Sequence, residues 1–131
     1  MASVHREIVI ERPPAAVWDA LADVGQLHTR LAPGFVTDCR LETGARVVTF
    51  ANGMVARELI VDVDRRWRRV AWAVVGGRLS HHNASAQLFD APGGATRFVW
   101  IADFLPDEHA AAVAAMIEHG LAAIKRHLDI G

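Results

Sequence analysis

The sequence predicts an α+β fold in which a curved, seven-stranded antiparallel sheet wraps around one long C-terminal helix. Two observations carry this. Strand-like segments between residues 35 and 105 follow one another across turn signals of hairpin length, and after residue 107 the apolar period switches from two to that of a helix. Geometry supplies the curvature. A helix of about 22 residues is roughly 33 Å long and cannot cover seven flat strands, so the sheet has to bend around it. A bent sheet gripping a helix leaves a space between the two, closed at one end by short helices.

Each element has its own signal. Residues 4–11, "VHREIVIE", are rich in β-branched side chains and end at Pro13-Pro14. Those prolines open a first short helix, "PAAVWDALAD", with Val17, Trp18 and Leu21 facing inward. A second short helix or irregular turn, "GQLHTRLAP", stops at Pro33-Gly34. In "FVTDCRLET" the charges of Asp38, Arg40 and Glu42 share one face, which turns Phe35, Thr37, Cys39 and Leu41 inward. "RVVTFANGMVARELIVDVD" is two strands about Asn52-Gly53, a strong hairpin signal. "RRVAWAVVGG" and "SHHNASAQLFD" meet near Gly76-Gly77, and "ATRFVWIADFL" follows the turn "APGG". Residues 107–129 form the long helix, with Ala112, Val113, Met116, Gly120, Ile124 and Leu128 on one stripe. Asp107 and Glu108 open it and Lys125 and Arg126 lie near its end, as the helix dipole favours.

Composition narrows the class. At 131 residues the chain fits one domain, 1–131, with no linker, repeat or low-complexity segment. Fourteen basic and fifteen acidic residues give a formal charge of −1, so nothing draws it broadly to nucleic acid or anionic lipid. The basic run "RRWRR" at 65–69 follows Asp62 and Asp64 and reads as a solvated hairpin end. One cysteine excludes an internal disulfide and fits a reducing cytoplasm. No signal peptide and no membrane span are predicted, so a cytoplasmic location follows. His109, His119 and His127 stand ten and eight residues apart, which is not the spacing of a helical zinc site, and no metal or cofactor is expected.

In their order and spacing, "IERPPAAVWDAL", "LAPGF", "NGMVAREL", "HHNASAQ", "FVWIADFLPD" and "GLAAIKRHL" resemble the SRPBCC superfamily of START-like helix-grip proteins. Within it the chain is most similar to single-domain bacterial proteins of polyketide cyclase/dehydrase type. The plant abscisic-acid receptors share a sparser skeleton: Glu58, the aromatic Trp72, Gly76-Gly77, Asn83 and the aromatic Trp100. The resemblance implies a helix-grip fold, and it implies that Glu58, Trp72 and Ala84 point into a pocket. Strand parity then adds Ala56 and Ile60 beside Glu58, Val70 and Val74 beside Trp72, and His82 and Ala86 beside Ala84. Thr37 has the inward parity of its own strand. On the last strand Phe98, Trp100, Ala102 and Phe104 share a face opposite Arg97 and Asp103. Ala112, Met116 and Gly120 match positions that line pockets in ligand-binding relatives. Gly120 weakens its helix by about 1 kcal/mol relative to alanine, so either the sheet packs closely there or a ligand uses the room.

Parity also settles the adjacent histidines. His81 and His82 point to opposite faces and cannot share one metal or form one dyad. Glu58 facing an apolar pocket is either a ligand contact, an acid–base group, or a buried acid satisfied by Arg57, His82 or water. His82 suits a polar anchor or general acid–base role. The two residues lie two strand spacings apart, about 9–10 Å, too far for a direct hydrogen bond. His28, Thr29 and Arg30 are either a solvated loop or an entrance anchor. Ser85 and Asn83 have the outward parity, so no Ser–His–acid triad forms.

Three functions compete. The leading one is binding or carrying a small hydrophobic molecule, aromatic, polyketide-like or lipid-like. The second is a cyclase or dehydratase in which Glu58 and His82 move protons on a folded poly-ketone. The third is a protein-interaction or regulatory module, with Val99 and Ile101 on the outer face as a contact or homodimer surface.

Overall fold

In the computed structural model, residues 2–130 are described. The first strand, β1 (Ala2–Ile10), leads into α1 (Pro14–Ala22) and a single π-helical turn at Leu27–Leu31. Six strands follow: β2 (Val36–Glu42), β3 (Ala45–Phe50), β4 (Val55–Asp64), β5 (Arg69–Val75), β6 (His81–Ala91) and β7 (Ala95–Leu105). A 3₁₀ turn, Asp107–His109, precedes α2 (Ala110–Ile130), so the acidic pair expected in the helix's first turn sits just before it. All seven strands form one antiparallel sheet in the order β1-β7-β6-β5-β4-β3-β2. This is the helix-grip architecture read from the sequence.

Each piece forms for local reasons. Pro14 presets the first turn of α1, whose Val17, Ala20 and Leu21 are buried. Trp18, expected beside them, is half-buried and packs on the edge of that core. Phe50 N–H donates to the Met54 carbonyl across the β3–β4 turn, leaving three residues between that bonded pair, with Gly53 at φ +89°. Glycine takes that left-handed conformation without strain. Two strands carry bulges, at Val36/Asp38 in β2 and Ile60/Asp62 in β4, and these bend the sheet.

α2 leans on β1 rather than on the middle of the sheet. Its Ile117, Leu121, Ile124 and Leu128 are buried, and Lys125 Nζ donates to the Val9 carbonyl. Asp129 Oδ1 accepts the Glu11 N–H at 2.9 Å. Ile117 and Leu121, outside the stripe read from the sequence, are as buried as Ile124 and Leu128 within it. At the same end of β1, Thr96 is fully buried and donates to the Arg12 carbonyl at 2.7 Å. Phe98 and Phe104 are each at most 2% exposed, and burial of each such ring stabilises the fold by about 1.5–3 kcal/mol. No helix among the described residues is long and apolar enough to cross a membrane.

Candidate functional site

With α2 held over β1, the opposite half of the sheet's concave face is left uncovered by that helix. The space left is a cavity of about 690 Å³, bounded by β3–β7, the π-helical turn and one flank of α2. Its inner lining is mainly apolar. The exposed lining residues mark the mouth: Asn52, Met54 and Val55 in the β3–β4 hairpin, Val75 and Arg78 after β5, and Ala112 and His119 on α2.

Sheet register places the polar groups. Arg46 on β3 is directly opposite Glu58 on β4, and Glu58 is opposite Val74 on β5. Arg46 Nε donates to Glu58 Oε1 at 2.8 Å, and both residues are buried, 3% and 7% exposed. Arg46 Nη1 also donates to the Val24 carbonyl at 3.2 Å, and its guanidinium stands 5.3 Å from the centre of the Trp72 ring. Trp72 in turn meets Trp100 edge to face at 6.0 Å. Burial pushes the Glu58 carboxyl above its ordinary range, while the charge and hydrogen bond of Arg46 pull it back down.

The partner of Glu58 is therefore Arg46, and none of Arg57, His82 or water is needed to explain its burial. Arg57 instead reaches outward to Glu42 at 3.1 Å. His82 lines the cavity from β6, with β5 between it and Glu58, and its ring meets Phe104 edge to face at 6.2 Å. Burial, then the charge of His81, holds it below its ordinary value, so it is neutral at pH 7. His81 is exposed on the other face. Glu58 and His82 thus do not meet as a dyad.

Of the residues expected at the pocket, Ala56, Trp72, Val74, Ala84, Ala86 and Phe98 line it together with Glu58 and His82. So do Trp100, Ala112 and Met116. Three do not. Thr37 is exposed because the β2 bulge makes it the extra residue between Val36 and Cys39, both buried. Ile60 lies past the end of β3, where its N–H meets the Gly44 carbonyl, and it packs on the core beyond the cavity. Gly120 is a close-packing position: a Cβ there would meet Trp100 Cζ3 at 2.7 Å and Phe35 Cε2 at 3.1 Å.

Two alternatives left open by the sequence are not supported. His28, Thr29 and Arg30 do not anchor the entrance. Thr29 bonds Gln26, Arg30 pairs with Asp19 and Asp23, and the His28 Nδ1 is buried without a partner. The outer surface around Val99 is not open, since Val99 is 5% exposed with the long side chains of Glu7 and Gln87 opposite it in the ladder. Cys39 is buried and its thiol is pushed up by that burial, which suits a small inward hydrophobe. Among the described residues no group of three or more His, Cys, Asp or Glu side chains is placed to hold a metal ion.

Known proteins share this arrangement. The family described as polyketide cyclase/dehydrase and lipid transport matches residues 1–129. No curated protein sequence matches. An uncharacterised protein of Bacillus thuringiensis superposes with a TM-score of 0.88 at 15% identity, covering 99% of this chain and 100% of that one. The di-domain ARO/CYC BexL of the BE-7585A biosynthetic pathway gives 0.83 at 12% identity, covering 98% of this chain and 47% of BexL. Major latex-like protein 151 from Panax ginseng gives 0.75 at 17% identity, with 97% of each chain covered. At these identities the likeness establishes the fold.

Proposed function

Because the chain belongs to the polyketide cyclase/dehydrase and lipid transport family, whose members generally bind hydrophobic ligands, we propose that it binds or carries a small hydrophobic molecule between its sheet and α2. One observation carries the reading. The cavity, about 690 Å³, is of the size that holds drug-sized ligands, and its inner walls are mainly apolar, with one self-paired ion pair and a neutral histidine among them. Trp72 and Trp100, set edge to face, offer aromatic surface to a flat ligand. Recognition asks little more than this.

Acid–base catalysis by Glu58 and His82 is the weaker reading. Arg46 occupies Glu58 Oε1, and a substrate would have to bridge the width of β5 to use both groups. The test is a thermal-shift and native mass spectrometry screen with naphthalene-sized aromatics and medium-chain lipids. Melting temperature should rise with such probes, and Ala84→Trp, which fills the cavity, should abolish the rise. No shift with any apolar probe, or the same shift in Ala84→Trp, would refute the proposal.

A further inference from the structure

We infer that the Arg46–Glu58 pair is the subsite for the ligand's polar end, and that this end is uncharged, with a hydrogen-bond acceptor beside a donor, as in a primary amide or a vicinal hydroxyketone. The inference rests on the hydrophobic-ligand reading above and adds the chemistry of one end of that ligand.

The hydrogen bonds of the pair leave half of it unused. Nε is committed to Glu58 Oε1 and Nη1 to the Val24 carbonyl. Among the described residues no hydrogen bond engages Arg46 Nη2 or Glu58 Oε2, and neither is a buried atom shut away without a partner. Both residues line the cavity from directly opposite positions on β3 and β4, so the pair has uncommitted N–H donors at Nη2 and an uncommitted acceptor at Oε2 to offer a ligand there. A group that accepts from Nη2 and donates to Oε2 completes the pair. An ester or ketone supplies only the acceptor.

Charge decides the rest. Arg46 and Glu58 neutralise each other, so a ligand carboxylate or ammonium placed against them is a third buried charge with no counter-ion. His82 offers no compensation to an anion, since burial keeps it neutral. The other basic side chains in the lining are Arg78, His119 and Arg126, all exposed, and the half-buried His109. An anionic ligand therefore turns its charge to the mouth and leaves the pair untouched. The Trp72 ring beneath the guanidinium gives an aryl amide a surface to stack on at the same time.

The experiment compares four probes with one aromatic body, 2-naphthamide, methyl 2-naphthoate, 2-ethylnaphthalene and 2-naphthoate, by calorimetric titration at pH 7.5. Wild type and Arg46→Met/Glu58→Leu are used. The double change replaces the buried pair with apolar side chains of similar size, a substitution that folds tolerate. In wild type the amide should bind at least about tenfold tighter than 2-ethylnaphthalene, with the ester between them. In the double variant the amide's advantage should vanish while 2-ethylnaphthalene and 2-naphthoate keep their affinities. The inference is overturned if amide, ester and hydrocarbon bind alike in wild type, a comparison that needs no variant. Tightest binding by 2-naphthoate, lost in the double variant, overturns it too. Hydrocarbon binding without amide preference removes only this inference, whereas no binding by any probe removes the hydrophobic-ligand reading beneath it.

Discussion

Gly120→Ala sets two effects of known size against each other. The change removes a helix penalty of about 1 kcal/mol at the centre of α2. It also puts a methyl 2.7 Å from Trp100 Cζ3, 3.1 Å from Trp100 Cη2 and 3.1 Å from Phe35 Cε2. Carbon atoms rest about 3.5–4.0 Å apart, so the nearest overlap approaches 1 Å. Two atoms of one rigid indole are hit together, and Trp72 flanks that ring at 6.0 Å, so Trp100 has to swing toward the cavity. Overpacking of this kind costs about 1–3 kcal/mol. The variant should therefore lose about 0–2 kcal/mol despite its better helix former, and its affinity for 2-ethylnaphthalene should weaken. Urea denaturation at unchanged m-value measures the first, calorimetric titration the second. A gain near 1 kcal/mol with unaltered affinity would mean that Gly120 faces open space, and the reasoning would fail.

Glu58→Leu alone strands the Arg46 guanidinium and should cost about 3–5 kcal/mol, whereas Arg46→Met/Glu58→Leu should match or exceed wild-type stability. Equal urea midpoints for the single and double variants would contradict this. His82 is held below its ordinary 6.5 by burial, so below about pH 6.5 the unfolded chain binds more protons there than the folded protein. Stability from this residue is intact above that pH and declines as pH falls through the lowered folded value. His82→Gln should flatten the decline between pH 7.5 and 5, and an unchanged slope would count against it. Thr96→Val removes a buried hydrogen bond to the Arg12 carbonyl and should cost about 1–2 kcal/mol in urea denaturation, with a neutral result contradicting the role given to that bond.

The strands, their succession by hairpins and the long helix were legible because each rests on a period or a turn signal that sequence displays directly, whereas the pairing of β1 with β7 has no such signal. Glu58, Trp72, His82 and Trp100 were placed by parity and by resemblance together. Arg46, the residue that gives Glu58 its meaning, was not found. A two-residue turn at Asn52-Gly53 would put Glu58 opposite Val47, and the actual turn has one residue more, which brings Arg46 across instead. The visible clue was a lone charge alternating with Val48 and Phe50. Thr37 failed for a related reason: a bulge inserts one residue, so Val36 and Cys39, three positions apart, both face inward, and the hydrophobic pattern carries no mark of it. Ile117 and Leu121 were missed because the stripe was traced through Met116 and Gly120, one position short of the buried row of Val113, Ile117 and Leu121.

The fastening of α2 has a consequence for access. Its hydrogen bonds to the β1 segment, through Lys125 and Asp129, fall in the last two turns, while the turns beside the mouth are rich in alanine. Such a rod is clamped at one end and stiff by its own propensity at the other. Deuterium uptake should accordingly be slow around Leu128 and faster around Ala112, and a guest seated inside should slow the free end most.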